Sequence, residues 1–215
     1  MSRNATYIPA LGHDWLTPFY DALMRLFMQE EAFKRQLIGQ AGISPGQRVL
    51  DLGCGTATLT ILIKQAYPGA EVTGLDGDPR VLAIGRAKAA KAGVDLRLDE
   101  GMAFALPYPD GSFERALSSL VIHHLGSADK RLTMKEVLRV LTPGGEFHIA
   151  DFGPPRTAWA RLTGQLMAHF EAVGDNYTGL LPTMLREAGF EKVEETGFFN
   201  TIFGTLTLLR ARKPA

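Results

Sequence analysis

The 215-residue sequence predicts a doubly wound α/β domain with a seven-stranded sheet, mostly parallel and finished by an antiparallel C-terminal hairpin. Three observations predict it. Short apolar runs alternate with helical periodicity between residues 48 and 150, and glycines stand where the first run gives way to a helix. The last two apolar runs lie too close in sequence for a parallel crossover, which needs about a dozen residues or more.

The elements follow in order. Phe19, Leu23, Leu26, Phe27, Phe33, Leu37 and Ile38 recur at steps of three and four and predict an amphipathic helix over 19–38, closed by Gly39, Gly42 and the Ser44-Pro45-Gly46 turn. Strand Arg48–Leu52, helix Thr58–Ala66, strand Glu71–Leu75, helix Pro79–Ala92 and strand Val94–Leu98 come next. Ala116–Ile122 reads as a fourth strand and Lys130–Leu141 as a helix. After the turn Pro143-Gly144-Gly145 comes a fifth strand, Glu146–Ala150. Such alternation implies right-handed crossovers with helices on both faces. Ala158–Val173 and Leu180–Ala188 read as helices, and Phe190–Thr196 with Thr201–Arg210 as the edge hairpin, turning at Gly197.

Composition narrows the partners. Lys plus Arg number 23 against 23 Asp plus Glu, so the formal net charge is zero and no global field gathers nucleic acid or an anionic membrane. The single cysteine, Cys54, excludes an internal disulfide and a Cys-rich zinc site, and suits a reducing cytoplasm. No run approaches the roughly 18 apolar residues that span a bilayer, and the start lacks the apolar stretch of a signal peptide. A cytoplasmic chain without stable membrane insertion is expected.

The main chemical signal is VLDLGCGTATLT, Val49 to Thr60. Glycines at the carboxyl end of a first strand let a ligand approach the backbone, and the crevice there is where α/β sheets bind ligands. A Gly-x-Gly turn also serves geometry alone, and both readings stand on the loop by itself. Thr58 occupies the place of a dinucleotide fingerprint's third glycine, and Asp51 would repel a pyrophosphate. Asp51 suits a ligand carrying an ammonium with a sulfonium nearby. Asp76, ending the second strand, can accept both hydroxyls of a ribose, while Asp78 ahead of Pro79 has the position of a helix cap.

Further pieces follow in fixed order: GLDGDPRVLAIGRAKAA from Gly74, ALPYPDGSFERALSSLVIHHL from Ala105, EVLRVLTPGGEFHIADF from Glu136 and LREAGFEKVE from Leu185. With these the sequence resembles the class I S-adenosylmethionine-dependent methyltransferases, and more narrowly the small-molecule group that includes ubiquinone/menaquinone C-methyltransferases. The resemblance covers about Gly46 to Gly153 and, more loosely, the rest. It implies a Rossmann-like methyltransferase fold, with S-adenosylmethionine as cofactor and a small-molecule acceptor. It implies that Asp51, Gly53 and Gly55 line the methionine end of that cofactor and that Cys54 contributes backbone. Asp76 would hold the ribose, Gly77 and Asp78 would border the adenosine, and Gly101, Met102 and Ala103 would form the adenine loop, with Leu120 in the same binding set. Met102 stands where the family often has an acid, and Glu100 or Asp99 is left as a replacement. Glu114 stands for the family's Asp, a change expected to be nearly silent if that acid only starts the fourth strand. The implied organisation over 1–215 is a helical lid segment 1–45, a cofactor-binding core 46–153, a helical substrate lid 154–189 and an edge hairpin 190–215.

Transfer from a sulfonium starts from an activated donor, so the protein mainly supplies proximity, alignment and a dry pocket. Where the nucleophile must lose a proton, histidine is the best-matched base near neutral pH. His123 and His124 end the fourth strand, and its alternation places them on opposite faces. His124 is the candidate base, set against a structural, hydrogen-bonded histidine. Asp151 is the other candidate, set against a loop-capping acid. His13, His148 and His169 lack ligand spacing, and no metal is assigned. Tyr7, Trp15 and Tyr20, with Trp159, Phe170 and Tyr177, are the aromatics available for an acceptor pocket, or else they pack a lid onto the sheet. Arg25, Lys34 and Arg35, interleaved with Glu30 and Glu31, read as a solvated face.

Two other functions are weighed. An NAD(P)-dependent oxidoreductase is disfavoured by Thr58 and by the lack of a Tyr-x-x-x-Lys pair; a non-catalytic cofactor-binding module is disfavoured by the intact motifs. Action on nucleic acid is disfavoured by zero net charge and by Ser119-Leu120-Val121-Ile122 in place of Asn/Asp-Pro-Pro-Tyr. The sequence names neither the acceptor nor the oligomeric state.

Overall fold

Val49, Leu50 and Leu52 leave strand β1 (Arg48–Leu52) without a polar face, and it takes a place inside the sheet, flanked on both sides. The computed structural model describes residues 30–161 and 174–215. Its elements are helix α1 (Glu30–Gln40), β1, α2 (Thr58–Ala66), β2 (Glu71–Asp76), α3 (Pro79–Lys91), β3 (Arg97–Glu100), β4 (Phe113–Ser119), α4 (Ser127–Val140), β5 (Leu141–Phe152), α5 (Gly174–Tyr177), α6 (Leu181–Ala188), β6 (Glu191–Thr201) and β7 (Gly204–Arg212). The sheet has seven strands in the order β3-β2-β1-β4-β5-β7-β6. The doubly wound α/β class is as the sequence predicts.

Strand parity distributes the core between the two faces. Leu50 and Leu52 of β1, with Phe147 and Ile149 of β5, meet Met134 and Val137 of α4 and Met184 and Leu185 of α6. Val49 points the other way, to Phe33 and Leu37 of α1 and Leu59 and Ile63 of α2. Asp51 shares the parity of Val49, so its carboxylate turns toward α1 and α2.

Several expected boundaries change. β3 begins at Arg97 rather than Val94, and β4 ends at Ser119 rather than running on to Ile122. Leu120 takes a left-handed backbone (φ +58°) and Ile122–His124 form a turn of 3-10 helix, so the histidines do not lie on a strand. Asp151 accounts for this departure, because its carboxylate collects the amides of Val121, Ile122 and His123. β5 begins at Leu141, and Pro143-Gly144-Gly145 forms an irregularity where pairing steps from Phe113↔Leu141 to Arg115↔Glu146.

The hairpin turns at Ile202–Phe203, not at Gly197. Gly197 lies within β6 at a register shift, with the Gln36 side-chain amide of α1 packed 2.7 Å from where a Cβ would sit. β7 is antiparallel to both β5 and β6, which leaves β6 running with the parallel strands. Of the predicted helix 19–38, the described part runs from Glu30 and continues to Gln40; residues 19–29 lie outside the described residues. Of the predicted helix 158–173, residues 158–161 are helical and the rest lie outside.

Candidate nucleotide and methyl-donor site

A cavity of about 320 Å³ opens at the carboxyl ends of β1, β2 and β4. The turn after β1 forms its floor. Gly53 and Cys54 both donate their amides to the Leu75 carbonyl, at 2.8 and 2.9 Å, which ties the loop to the end of β2. Gly53 has φ +68°, and a side chain there would overlap Val121, so only glycine lets the loop and the chain after β4 close on each other. The Cys54 side chain turns from the cavity toward Gly74, where an added Cβ would meet Sγ at 2.9 Å. Burial pushes the Cys54 thiol pKa far up, with Asp51 and Asp76 adding to the effect. Lys88 of α3 donates to Thr56 Oγ1 at 3.0 Å and Thr58 Oγ1 at 2.6 Å, bracing the turn.

Asp76 ends β2 at the cavity wall. Its Oδ2 accepts the Gly55 amide at 2.8 Å and its Oδ1 the Asp78 amide at 3.0 Å, which aims the carboxylate and leaves further lone pairs open. Burial raises its pKa, with the backbone amides of Asp78 and Gly55 opposing. Gly77, Gly101, Met102 and Ala103 line the same end. A Cβ on Gly77 would meet Met102 Sδ at 2.8 Å, so the thioether packs directly against the glycine at this end of the cavity. Neither Asp99 nor Glu100 lines the cavity. Asp99 accepts from the Tyr108 hydroxyl at 3.1 Å and pairs with Arg97 at 2.8 Å.

Other expected residues are placed elsewhere. Asp51 is buried under the loop, not on the cavity wall, and accepts from Thr60 Oγ1 at 2.6 Å. Burial pushes its pKa up to about 6, with Thr60 and Lys34 opposing. One carboxylate oxygen, Oδ2, is thus tied to helix α2 beneath the loop. Asp78 accepts the Arg80 amide at 2.8 Å as the cap of α3 and does not reach the cavity. Glu114 accepts the Arg48 amide at 2.7 Å and pairs with the Arg48 guanidinium, joining the starts of β1 and β4.

The third wall follows β4. Ser119, Leu120, Val121, His124 and Leu125 line it. The rings of His123 and His124 lie 3.9 Å apart. His123 is buried and its Nδ1 donates to Asp151 Oδ1 at 2.7 Å; His124 faces the cavity. Desolvation and then His123 push the His124 pKa down to about 4, an effect that solvent moderates on its exposed edge, and the imidazole is neutral at pH 7. Asp151 lies outside this cavity. It also accepts from the Phe152 amide at 2.7 Å and the Asn176 amide at 3.3 Å, which makes it the anchor of the loop rather than an open base.

The aromatics expected around an acceptor divide as follows. Tyr7, Trp15, Tyr20 and Phe170 lie outside the described residues. Trp159 is 57% exposed and donates to the Ile202 carbonyl at 3.0 Å, on the hairpin turn. Tyr177 stacks on Phe152 at 6.2 Å and its hydroxyl donates to the Phe203 carbonyl at 3.3 Å. Neither lines this cavity. The expected solvated face is corrected for Glu30 and Lys34, which α1 brings to the cavity wall as a largely buried ion pair at 2.5 Å. Their signal was positional: Lys34 lies three and four residues before Leu37 and Ile38, on the buried stripe of the helix. Among the described residues no three His, Cys, Asp or Glu side chains converge on a metal position.

A Rossmann-like sheet with a glycine loop after β1, a carboxylate ending β2 and a cavity at the strand ends has the arrangement of nucleotide-binding α/β proteins, whose ligands lie in that crevice. Comparisons with known proteins narrow the class. A methyltransferase domain model matches residues 49–145. An uncharacterized methyltransferase, sll0829, from Synechocystis sp. is 33% identical over 189 residues, covering 85% of this chain and 84% of that protein. A demethylmenaquinone methyltransferase from Thermus thermophilus is 38% identical over 142 residues, covering 65% of this chain. This chain belongs to the class I S-adenosylmethionine-dependent methyltransferase family.

The matched region spans 64% of the Thermus thermophilus protein and 58% of a demethylmenaquinone methyltransferase from Deinococcus radiodurans. Among solved structures, a putative methyltransferase from Bacillus halodurans superposes with a TM-score of 0.69 at 20% identity, covering 85% of this chain and 99% of that one. A [4+2]-cyclase, SpnF, superposes at 0.70 and 20% identity, covering 86% and 80%. These two show the fold, and the second shows that the fold carries more than one chemistry.

Proposed function

We propose that the protein transfers the methyl group of S-adenosylmethionine to an oxygen, nitrogen or carbon nucleophile of a small, apolar or aromatic acceptor, acting in the cytoplasm. The observation that carries the reading is one cavity lined by the Asp76 carboxylate, the Met102 thioether and His124. The residues fit the nucleoside. Asp76 keeps acceptor capacity for ribose hydroxyls, Met102 and Ala103 offer an apolar bed for a purine, and Gly53 with Gly55 permits close approach over β1. When bound, the cofactor supplies a methyl group already activated on a sulfonium.

The chain's own residues do the rest. Leu120, Val121 and Leu125 make an apolar wall that excludes water from the acceptor side. His124, neutral and facing the cavity, takes the proton of a hydroxyl or activated carbon acid, while the buried His123–Asp151 pair fixes the turn that carries it. A quinol-type acceptor is favoured because the relatives from Thermus thermophilus and Deinococcus radiodurans are demethylmenaquinone methyltransferases. The apolar wall suits such a ring.

The test is transfer of a radiolabelled methyl group to a panel of quinols, phenols, amines and thiols, with calorimetric titration of S-adenosylhomocysteine and of NAD. Micromolar binding of the homocysteine product, none of NAD, and label on a quinol or phenol are expected. Absence of binding by S-adenosylhomocysteine would sink the proposal. His124→Gln should lower kcat by about a hundredfold, within the usual range for general-base loss. An unchanged kcat on a confirmed acceptor removes His124 from the mechanism.

A further inference from the structure

We infer that a second cavity, between the end of β5, strand β7 and the start of α6, binds a small primary ammonium carried on a short apolar stem. The cavity measures about 180 Å³ and shares no lining residue with the main cavity. It lies on the face of the sheet that α4 and α6 cover, where Leu181 and Leu209 belong to the core. A cavity of roughly 150 Å³ inside a protein takes in benzene, so this volume suits a ligand of about four to six heavy atoms.

Two buried oxygens call for a hydrogen-bond donor. Asn176 is 1% exposed, and its Nδ2 donates to Asp151 Oδ1 and to the Phe152 carbonyl, each at 3.3 Å. Both partners are acceptors, which fixes the orientation of the amide and leaves Oδ1 without a donor among the described residues. Thr207 is 5% exposed, and its hydroxyl likewise has no partner among the described residues. Thr207 is the register partner of Asp151 across the β5–β7 pair, so both orphan oxygens belong to residues beside that aspartate. Both residues line the cavity. Buried polar groups are nearly always paired, and an acceptor left unmet is costly to keep from water. A ligand that donates there recovers the loss.

Charge selects the kind of donor. Among the described residues lining the cavity, those that carry charge are Asp151 and Glu195, both acids; their partners His123 and Arg156 do not line it. Glu195 of β6 accepts one hydrogen bond among the described residues, from Arg156 to Oε1, which leaves Oε2 for a further donor. An anion meets carboxylates with no cation on the wall. A neutral alcohol gains a hydrogen bond without the attraction of opposite charge, and an ammonium gains both. Leu181, Pro182 and Leu209 supply apolar wall for the stem.

Titration of the whole chain with n-propylammonium, 1-propanol and propionate, followed by backbone amide NMR shifts, tests this. Propylammonium should bind with a Kd of about 1 mM, in keeping with so small a ligand. It should shift Gly153, Asn176 and Thr207 rather than Gly53 and Gly77 of the main cavity. 1-Propanol should bind about tenfold more weakly or worse, and propionate not measurably. Thr207→Val, which keeps the branched shape and removes the hydroxyl, and Glu195→Gln should each weaken propylammonium about three- to tenfold, with S-adenosylhomocysteine affinity within roughly twofold of wild type. Equal binding of alcohol and ammonium, shifts confined to the main cavity, unchanged affinity in both variants, or a cavity that takes up ordered water only overturns the inference. The wild-type titration decides even if Thr207→Val folds poorly. Binding of S-adenosylhomocysteine is read separately, so failure here leaves the cofactor reading intact.

Discussion

Replacing Asp151 by Asn changes one buried atom, and the structure sets the size of the result. The carboxylate is 1% exposed and accepts six donors. Oδ2 takes the Ile122 amide at 2.7 Å and the Val121 amide at 3.2 Å, with His123 N–H further off. Oδ1 takes His123 Nδ1 and the Phe152 amide, both at 2.7 Å. Whichever oxygen becomes the amide nitrogen, at least two buried donors then face a donor. Each unmet donor costs about 1–3 kcal/mol, so two together cost about 2–6 kcal/mol. A loss of about 2–6 kcal/mol is therefore expected, or a fall in Tm of roughly 10 °C for a chain of this length.

The assay is urea unfolding of wild type and Asp151→Asn across pH. Burial pushes the Asp151 pKa up, but His123 and the converging donors outweigh it and hold the carboxyl below its usual range. A lowered native pKa adds stability that is complete above the unfolded value, near 3.9, and disappears as pH falls through the native value. The variant should lose that part of the acid dependence as well as stability at pH 7. A loss under about 1 kcal/mol at pH 7 would refute the argument that this carboxylate holds the turn after β4.

Other outcomes follow from single positions. Gly53→Ala should cost about 2–4 kcal/mol, from the left-handed backbone and from overlap with Val121. Adding Val121→Ala should restore the steric part only, which chemical denaturation of the double variant checks; strict additivity would contradict the contact. His148 is fully buried on β5, and burial lowers its pKa against the opposing pull of Glu146. The unfolded chain therefore binds the proton more readily, so stability should be level above about pH 6.5 and decline below it, and His148→Gln should flatten that decline. An unchanged slope would place the titration elsewhere, His124 being the next group with a lowered pKa.

The parts legible in the sequence are those governed by local chemistry. β1 and α2 fall on the predicted residues because an apolar run, a glycine turn and a helical stripe succeed each other without competition. Gly53, Asp76, Met102 and Leu120 reach the cavity wall for the same reason, being fixed to strand ends. What was not legible depends on partners far along the chain. β4 looks like strand through Ile122, yet Asp151, about thirty residues on, takes its amides and turns it. Gly197 has the composition of a turn, yet it lies inside β6 at a register shift in its pairing with β7. The Glu30–Lys34 pair and its solvated neighbour Glu31–Arg35 are alike in spacing and separate only once α1 docks.

Leu120 brings local strain and site geometry together. A leucine in the left-handed region carries a penalty of about 1–2 kcal/mol, and such outliers persist where surroundings over-determine them. Here the determinants are visible. The Leu120 amide donates to the Ala150 carbonyl at 2.9 Å, which keeps the residue in register with β5, and the next three amides turn into Asp151. Between those two constraints the chain has no extended path, and the turn sets Val121 over Gly53 and His124 at the cavity. Leu120→Gly removes the backbone penalty and also a partly buried side chain worth about 1–2 kcal/mol, so the two changes oppose each other. Net stability should move by less than about 1 kcal/mol, against about 2–5 kcal/mol for an ordinary buried leucine truncation. The affinity for S-adenosylhomocysteine should nonetheless fall several-fold as the wall of the cavity is lost, roughly 1 kcal/mol. A stability loss of ordinary core size would show that the backbone at Leu120 is not strained, and unchanged ligand affinity would show that its side chain does not shape the site.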